Sequence, residues 1–402
     1  MKKNATVRWG YLILGTISLM VAGVIYAWSI LKAPLAEEFG WSGSELALNF
    51  TLTMCFYCLG GFFGGLFSKR LGSRISLLAA AVLSGLGFFL TSRLSGGVVT
   101  LYLSYGVITA FGIGISYNVI ISTVSAWFPD QKGLCSGALL MGFGTSALVV
   151  GKLASALIEG PGWRTAFLTV GILLAVVLTV TALLLRRPGE NDVLPQPQQK
   201  RSAGEESFEP KDYQTGEMVR RPSFWLAFFC IVCLAAVGNT VFSFARDLAL
   251  SVGAKAAFAS TLVGILSVCN GLGRIAVGLV FDRYGRKRTM LLANGLTILA
   301  AGITLTAVLT NSLPLCVAGL CATGFSYGSA PTITSAFTSG FYGTKHFPLN
   351  YSVMNFNLMG ASFAATAAGS LVESTGGYAA PFILLLCLAG LSLILNLCIR
   401  KP

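Results

Sequence analysis

The chain has 402 residues, 54% of them hydrophobic and 11% charged, and a formal net charge of +13 at pH 7. A soluble protein needs more surface charge than this, so the composition excludes a soluble globular domain. It also argues against a nucleic-acid-binding protein, because the basic residues form short clusters between long apolar blocks.

The apolar blocks are about 20 residues long, the length of a helix that crosses the hydrocarbon core of a bilayer. Twelve blocks lie between polar breaks, so the sequence predicts an all-α integral membrane protein with twelve transmembrane helices in a lipid bilayer. The basic stretch Met1–Arg8 precedes an apolar run long enough to remain as the first helix, and no cleavable leader is expected. In chain order the predicted spans are residues 9–31, 46–68, 75–92, 98–126, 134–158, 163–185, 222–250, 257–281, 288–309, 313–340, 348–371 and 378–399.

The break between the sixth and seventh spans is longer than the others and rich in Pro, Gln, Glu and Lys. Such a composition is typical of a solvated linker. The predicted organisation is therefore an N-terminal six-helix half over residues 1–185, a cytoplasmic linker over 186–221 and a C-terminal six-helix half over 222–402.

The distribution of Lys and Arg predicts the orientation of the chain. With both termini and the linker in the cytoplasm, twenty-one of these residues lie in inner segments. The outer segments then hold only Lys32, Arg93, Arg164, Arg246 and Lys255. Because this bias sets topology, we expect a multi-pass protein of the cell inner (plasma) membrane with both termini cytoplasmic.

The reactive side chains give no sign of an enzyme. Almost all ten cysteines lie within apolar runs, which predicts buried thiols with no metal-binding or redox role. His346, the single histidine, falls in a predicted cytoplasmic loop, so a histidine proton relay within the membrane is excluded. No nucleophile–base pair, metal cluster or phosphate loop is visible, and no cofactor is expected.

A short motif occurs at matching places in the two halves. Residues 278–287 read Gly-Leu-Val-Phe-Asp-Arg-Tyr-Gly-Arg-Lys, and residues 65–74 read Gly-Leu-Phe-Ser-Lys-Arg-Leu-Gly-Ser-Arg. Both resemble the inner-loop signature of the major facilitator superfamily, although Lys69 replaces the Asp of the other copy. The resemblance implies the major facilitator fold, in which two six-helix halves face each other around a midplane site.

Arg274 lies in the middle of the eighth span. A guanidinium there costs about 2.5–3.5 kcal/mol on insertion scales, so it must face a cavity or a partner. Ser267 and Asn270 share its helical stripe. A structural ion pair is the alternative explanation, but all fifteen acidic residues fall in loops or near span ends. A substrate carboxylate matches the guanidinium fork, and we predict that Arg274 binds it.

Other polar residues within the spans are weaker candidates. Tyr117 and Tyr327 follow Gly-rich stretches in the fourth helix of each half, where a hydroxyl beside an apolar wall suits a small organic acid. Tyr26 and Trp28 in the first span are further candidates. Lys152 lies toward the outer end of the fifth span, and we expect its long side chain to reach the interface rather than the site.

Three segments extend the resemblance over nearly the whole chain: residues 9–11, 127–137 and 216–225. They are similar to signatures of the monocarboxylate transporters of the major facilitator superfamily, including bacterial L-lactate transporters, and of the related oxalate:formate antiporters. The resemblance implies a carrier of small carboxylates. In the antiporter pattern two cations bind a dicarboxylate; Arg274 matches the first, but Leu358 stands where the second would be. One cation balances one carboxylate, which predicts a monocarboxylate substrate.

The resemblance does not settle how transport is driven. Asn270 stands where animal members carry an Asp one turn before the Arg, and Ile30 stands where they carry a Lys. Moving a lone anion against an interior-negative potential costs about 2.3 kcal/mol per 100 mV, and a co-moving proton removes that cost.

We therefore predict a secondary active transporter that moves L-lactate, pyruvate or a similar acid with a proton by alternating access, functioning as a monomer. A carboxylate exchanger is the alternative, and a receptor that binds without transport is a third possibility. The predicted substrate-binding residues are Arg274, Asn270, Tyr117, Tyr327, Ser267, Tyr26 and Trp28.

Overall fold

The computed structural model describes residues 2–130, 132–189, 192, 212–343 and 345–400, except for the side chains of residues 2–6, 132, 133, 282 and 348. Within these ranges the chain is almost entirely helical and contains no β-strand. The predicted all-α class is confirmed. Most of the predicted linker, residues 190–191 and 193–211, lies outside the described residues.

Eleven helices of the described chain are long and apolar enough to cross a membrane. We number them spans 1–10 and 12 in chain order: Val7–Leu31, Gly43–Arg70, Gly72–Ser92, Val98–Ser125, Leu134–Glu159, Trp163–Leu184, Pro222–Ser251, Ala256–Phe281, Arg283–Leu309, Leu313–Tyr342 and Ala379–Cys398. At the place of the predicted eleventh span, two helices, Phe347–Met354 and Asn357–Thr375, follow one another across a short break and form span 11. Short helices Ala33–Phe39 and Thr215–Val219 lie outside the spans.

Three spans deviate from regular α-helix. Span 1 passes from α-helix (Lys2–Ala22) through a 3₁₀ turn (Gly23–Ala27) into a last turn (Trp28–Leu31). Span 4 contains a π-helix over Tyr102–Thr109, between Val98–Leu101 and Ala110–Ser125. Span 5 consists of Lys132–Gly144 and Ser146–Glu159. Such irregular turns often mark functional positions, and the turn in span 1 carries Tyr26.

The repeated motif forms the turn between two spans in each half. Spans 8 and 9 run on as one helix, Ala256–Leu309, interrupted at Gly285, whose φ is 70° and ψ 178°. Gly72, the matching residue after span 2, also has a positive φ, of 82°. An L-residue with a side chain rarely adopts this conformation, so the turn explains why glycine stands at the same place in both copies.

The surface of the molecule is apolar and its interior holds polar groups. Leu279, Leu309 and Val82 are each 66% exposed on the outer faces of their helices. Asn239 and Asn270, in contrast, are fully buried. This distribution suits a protein whose solvent is lipid, because buried polar groups there find partners between helices.

The helices before the linker pack against those after it along three seams. Span 1 lies against span 7, span 2 against span 11, and span 5 against span 8. We use N-terminal half for spans 1–6 and C-terminal half for spans 7–12. The domain boundaries at residues 185 and 222 stay a prediction.

Candidate functional site

Arg274 lies between the two halves and is 2% exposed. Its Nη1 donates to the carbonyl oxygen of Leu140 at 2.8 Å, and its Nη2 donates to the hydroxyl of Tyr26 at 3.3 Å. Its Nε donates to Oδ1 of Asn270 at 3.3 Å. The ion pairs among the described side chains join Arg8 with Asp130, Lys32 with Asp247, Arg164 with Glu38 and Arg186 with Asp192. The charge of Arg274 is therefore buried without an acidic partner in the described structure, as the sequence predicted.

Hydrogen-bond donors remain free around this charge. The three bonds use three of the five N–H groups of the guanidinium. Asn270 is fully buried, and its Nδ2 has no partner in the part of the chain that the structure describes. A buried donor without an acceptor is unfavourable, so the arrangement is suited to an incoming anion.

A close helix crossing brings span 10 to Arg274. A methyl group at Gly328 would collide with the carbonyl oxygen of Asn270 and lie 2.9 Å from the backbone nitrogen of Arg274. Glycine therefore allows span 10 to touch the turn of span 8 that carries Arg274. This contact places Tyr327, the neighbour of Gly328, beside the guanidinium.

Four side chains form a buried hydrogen-bonded chain that starts at Arg274. The Tyr26 hydroxyl, which accepts from the guanidinium, lies 3.5 Å from the Tyr327 hydroxyl. Tyr327 donates to Oδ1 of Asn239 at 2.6 Å, and Nδ2 of Asn239 donates to the carbonyl oxygen of Leu358 at 3.2 Å. The chain connects spans 8, 1, 10, 7 and 11.

Aromatic rings surround this chain, most of them from the N-terminal half. The ring of Tyr26 packs 5.5 Å from that of Phe143 and 4.8 Å from that of Phe242, measured between centroids. Tyr117 packs 4.9 Å from Phe143 and 5.3 Å from Tyr57. These rings exclude water and lower the local dielectric, which strengthens electrostatic interactions with Arg274.

A narrow cleft opens beside the aromatic wall, between spans 2, 4 and 11. It lies toward the ends of these spans that are predicted to face the cytoplasm. Most of its lining residues carry a polar group, and these groups are tyrosine and serine hydroxyls, a thiol and two amides. The lining residues are Tyr57, Cys58, Gly61, Phe62, Tyr117, Asn118, Tyr351, Ser352 and Asn355.

The structure brings together five of the seven predicted site residues. Arg274 hydrogen-bonds directly to Asn270 and Tyr26, and Tyr327 contacts the hydroxyl of Tyr26. Tyr117 belongs to the adjoining wall and lines the cleft.

Ser267 and Trp28 hydrogen-bond elsewhere in the structure, and their place in the site stays a prediction. The Ser267 hydroxyl donates to the carbonyl oxygen of Gly144 and accepts from the N–H of Ala147, which fastens span 8 to span 5. The indole N–H of Trp28 donates to the carbonyl oxygen of Leu46 at 3.1 Å inside the N-terminal half. Lys152 is exposed on the outer face of span 5, as expected for a side chain that reaches the interface.

Sequence reasoning missed several residues of the site. Asn239 was detectable as an amide in the middle of apolar span 7, and Phe143 and Tyr57 carry no signal that separates them from other core aromatics. Lys32 was expected in an exposed outer segment, but it is only 3% exposed. Its Nζ lies 2.7 Å from Oδ2 of Asp247 and 4.3 Å from the ring centroid of Phe244, so it joins span 1 to span 7.

A second ion pair on the same side of the molecule stays within the N-terminal half. Arg164 lies 2.7 Å from Oε1 of Glu38, and Trp163 donates its indole N–H to the same carboxylate. These hydrogen bonds, first from Trp163 and then from Arg164, lower the pKa of the Glu38 carboxyl below its ordinary value.

Comparison with known proteins gives the family. The family model of the Major Facilitator Superfamily matches residues 11–251 and again 228–402. The oxalate:formate antiporter of Oxalobacter formigenes is 28% identical over 387 residues, covering 94% of this chain and 88% of that protein. Monocarboxylate transporter 12 of Homo sapiens is 25% identical over 401 residues, covering 94% and 77%.

A solved structure, that of the nucleoside transporter NupG, superimposes with a TM-score of 0.69 at 14% sequence identity and covers 98% of each chain. At that identity the likeness shows the fold alone, which confirms the predicted major facilitator architecture. The chain resembles membrane transporters and is itself a member of the Major Facilitator Superfamily.

Proposed function

We propose that this protein carries a small monocarboxylate, such as L-lactate or pyruvate, across the inner membrane together with a proton. The observation that carries the proposal is the buried guanidinium of Arg274, which has no acidic partner in the described chain and has free donors beside it. The names of the two relatives, an oxalate:formate antiporter and a monocarboxylate transporter, support a small carboxylate as the anion.

The charge of the site supports one carboxylate rather than two. Leu358, at the position of the second cation of the antiporter pattern, is a buried apolar residue. Its carbonyl oxygen ends the hydrogen-bonded chain from Arg274, which locates it next to the site. A second carboxylate there would lose its hydration without gaining a counter-charge, which costs several kcal/mol.

The proposed mechanism is alternating access between the two halves. The substrate takes the place of the Leu140 carbonyl and the Tyr26 hydroxyl as acceptors from Arg274, and its carboxylate accepts from Asn270 Nδ2 as well. Binding thus neutralises the buried charge and allows the halves to rock around the site. In the present state the Lys32–Asp247 pair holds the predicted outer ends of spans 1 and 7 together, while the tyrosine-lined cleft lies on the predicted cytoplasmic side.

Among the described side chains around Arg274 there is no carboxylate or imidazole that could carry the proton. Arg274 is surrounded there by tyrosines, phenylalanines and two asparagines. We therefore propose that the proton travels on the substrate itself. This requires no resident cofactor, and a single chain contains the whole site.

The second candidate function is a carboxylate exchanger, favoured by the antiporter that is 28% identical. Uptake of labelled lactate into proteoliposomes separates the two. Symport requires an inward proton gradient and no internal substrate, so uptake that collapses without the gradient supports it. Uptake that needs internal carboxylate supports exchange. Saturable binding with no uptake under either condition would contradict both.

A further inference from the structure

The hydrogen-bonded chain between Arg274 and Leu358 has a fixed direction. At its far end stands a backbone carbonyl, which can only accept a hydrogen bond. The group of Asn239 that faces it must therefore be the amide nitrogen, and the amide oxygen must face Tyr327. This assignment follows from the network itself and not from the shape of the side chain.

The orientation of Asn239 determines what Tyr327 can offer to the site. An amide oxygen cannot donate a hydrogen bond. The Tyr327 hydroxyl therefore donates its single proton to Oδ1 of Asn239, in a short bond of 2.6 Å. Toward Arg274 and Tyr26 the Tyr327 oxygen then presents lone pairs only. It accepts hydrogen bonds from the site and donates none.

The position between Arg274 and Tyr327 is at present filled by a hydroxyl group. The Tyr26 oxygen accepts from Arg274 at 3.3 Å and lies 3.5 Å from the Tyr327 oxygen, to which it can donate because the Tyr327 proton is bound to Asn239. Both distances are long for hydrogen bonds, so these two bonds hold the Tyr26 hydroxyl only weakly. The position suits a group that accepts on one side and donates on the other.

We propose that Asn239, acting through Tyr327, makes the site select acids with a hydroxyl on the carbon next to the carboxylate over the corresponding 2-oxo acids. A 2-hydroxyl can accept from Arg274 and donate to Tyr327, as the Tyr26 hydroxyl does now. A ketone oxygen has no proton, and it would face the Tyr327 lone pairs without a hydrogen bond. Asn239 is thus a positioning residue for specificity. The inference rests on the proposed function.

Competition for labelled lactate uptake by unlabelled lactate, pyruvate and propionate tests this inference. Lactate and pyruvate differ only at the 2-position, and propionate has no oxygen there. We expect wild type to prefer lactate to pyruvate, and Asn239→Leu to reduce that preference by about three- to tenfold, the effect of one hydrogen bond. Without the Asn239 oxygen, the Tyr327 hydroxyl can donate its hydrogen bond to the ketone oxygen of a 2-oxo acid.

Asn239→Asp is the matched control. Its carboxyl, protonated or not, still accepts from Tyr327, so the lactate preference should persist even if the amount of protein falls. A lost preference in Asn239→Leu with a retained one in Asn239→Asp cannot come from weaker packing alone.

If Asn239→Leu does not insert, Tyr327→Phe provides the second variant. It should weaken competition by lactate about three- to tenfold and leave competition by propionate unchanged, because only the lactate hydroxyl donates to Tyr327. Equal competition by lactate and pyruvate in wild type, or an unchanged ratio in a transporting Asn239→Leu, overturns the inference and leaves the proposed function standing. Absence of labelled lactate uptake by the wild-type protein overturns the proposed function itself.

Discussion

The two halves contribute different chemistry to the space around Arg274. The C-terminal half supplies side chains that hydrogen-bond in fixed directions, namely Arg274, Asn270, Tyr327 and Asn239. The N-terminal half supplies mainly rings, together with two acceptors for Arg274, the Leu140 carbonyl and the Tyr26 hydroxyl. The difference suggests a division of labour, in which the C-terminal half holds the ligand and the N-terminal half encloses it. Separation of the halves would then leave the anion on one wall, open to water.

The largest effect should come from removing the charge that dominates the C-terminal wall. Arg274→Ala, and to a lesser degree Arg274→Lys, should reduce lactate uptake by about 100-fold or more, because two charge-assisted hydrogen bonds to the carboxylate are lost. Lys152→Ala is the matched control, since it removes a different cation within a span, one on an exposed face, and should leave uptake unchanged. Initial rates of labelled lactate uptake, divided by the amount of protein in the membrane, measure the effect. Full activity of both Arg274 variants would end the assignment.

A second cation on the same wall should change the substrate rather than abolish binding. Leu358→Lys should shift the preference from lactate toward a dicarboxylate such as oxalate by about tenfold, because the second carboxylate gains a counter-charge. Leu358→Met introduces an unbranched side chain of nearly the length of lysine but without its charge, and it should keep the substrate preference of the wild type. Competition by oxalate against labelled lactate measures the shift. A preference that is the same in Lys and Met variants would refute the charge-counting argument.

The smallest effect should come from the seam at the predicted outer face. Asp247→Asn removes the ion pair that joins Lys32 of the N-terminal half to span 7, so the outer ends should separate more often. A cysteine introduced as Ser29→Cys, in the same turn region of span 1, should then react roughly three- to tenfold faster with an external, impermeant maleimide. Labelling of the native cysteines is measured in the same chain with Ser29 intact and subtracted. No increase would show that the pair does not hold the halves together.

Glu38→Gln is the control for the seam, because its ion pair with Arg164 lies wholly within the N-terminal half. Its loss should leave maleimide labelling unchanged. The folded-state pKa of Glu38 is lowered, so stability from this pair is fully present above the ordinary carboxyl pKa and is lost only as the pH falls through the lowered value. A pH gradient imposed near neutrality therefore leaves the control pair intact.

The sequence predicted the helices and the central charge because both depend on local pattern. Apolar length defines a span, and a lone Arg274 within one needs no tertiary information to be noticed. Trp28 and Ser267, which make no contact with Arg274 among the described hydrogen bonds, show where local pattern is insufficient. Trp28 follows Tyr26 by two positions, and residues so spaced face different sides of a helix. Ser267 shares a stripe with Arg274 but lies two turns, about 10 Å, along the helix, where it meets the backbone of span 5 instead.

The residues that were missed depend on contacts between distant parts of the chain. Asn239 gains its role only because Tyr327 and the carbonyl of Leu358 flank it in space. Lys32 and Asp247 are more than 200 positions apart, and each alone resembles an ordinary charge at a span end. Their pairing depends on how span 1 crosses span 7, which hydrophobic periodicity does not encode.

The two acceptors that the N-terminal half offers to Arg274 have a consequence for the return journey of the empty carrier. A symporter must reorient without cargo, and a bare guanidinium sealed between the halves would oppose that step. The Leu140 carbonyl and the Tyr26 hydroxyl accept from Arg274 in this structure, and in the proposed symport cycle they would replace the missing anion and let the unloaded protein close. If the proposed function holds, such a carrier would complete its cycle without a counter-substrate, and net accumulation of the acid would depend only on the driving gradient.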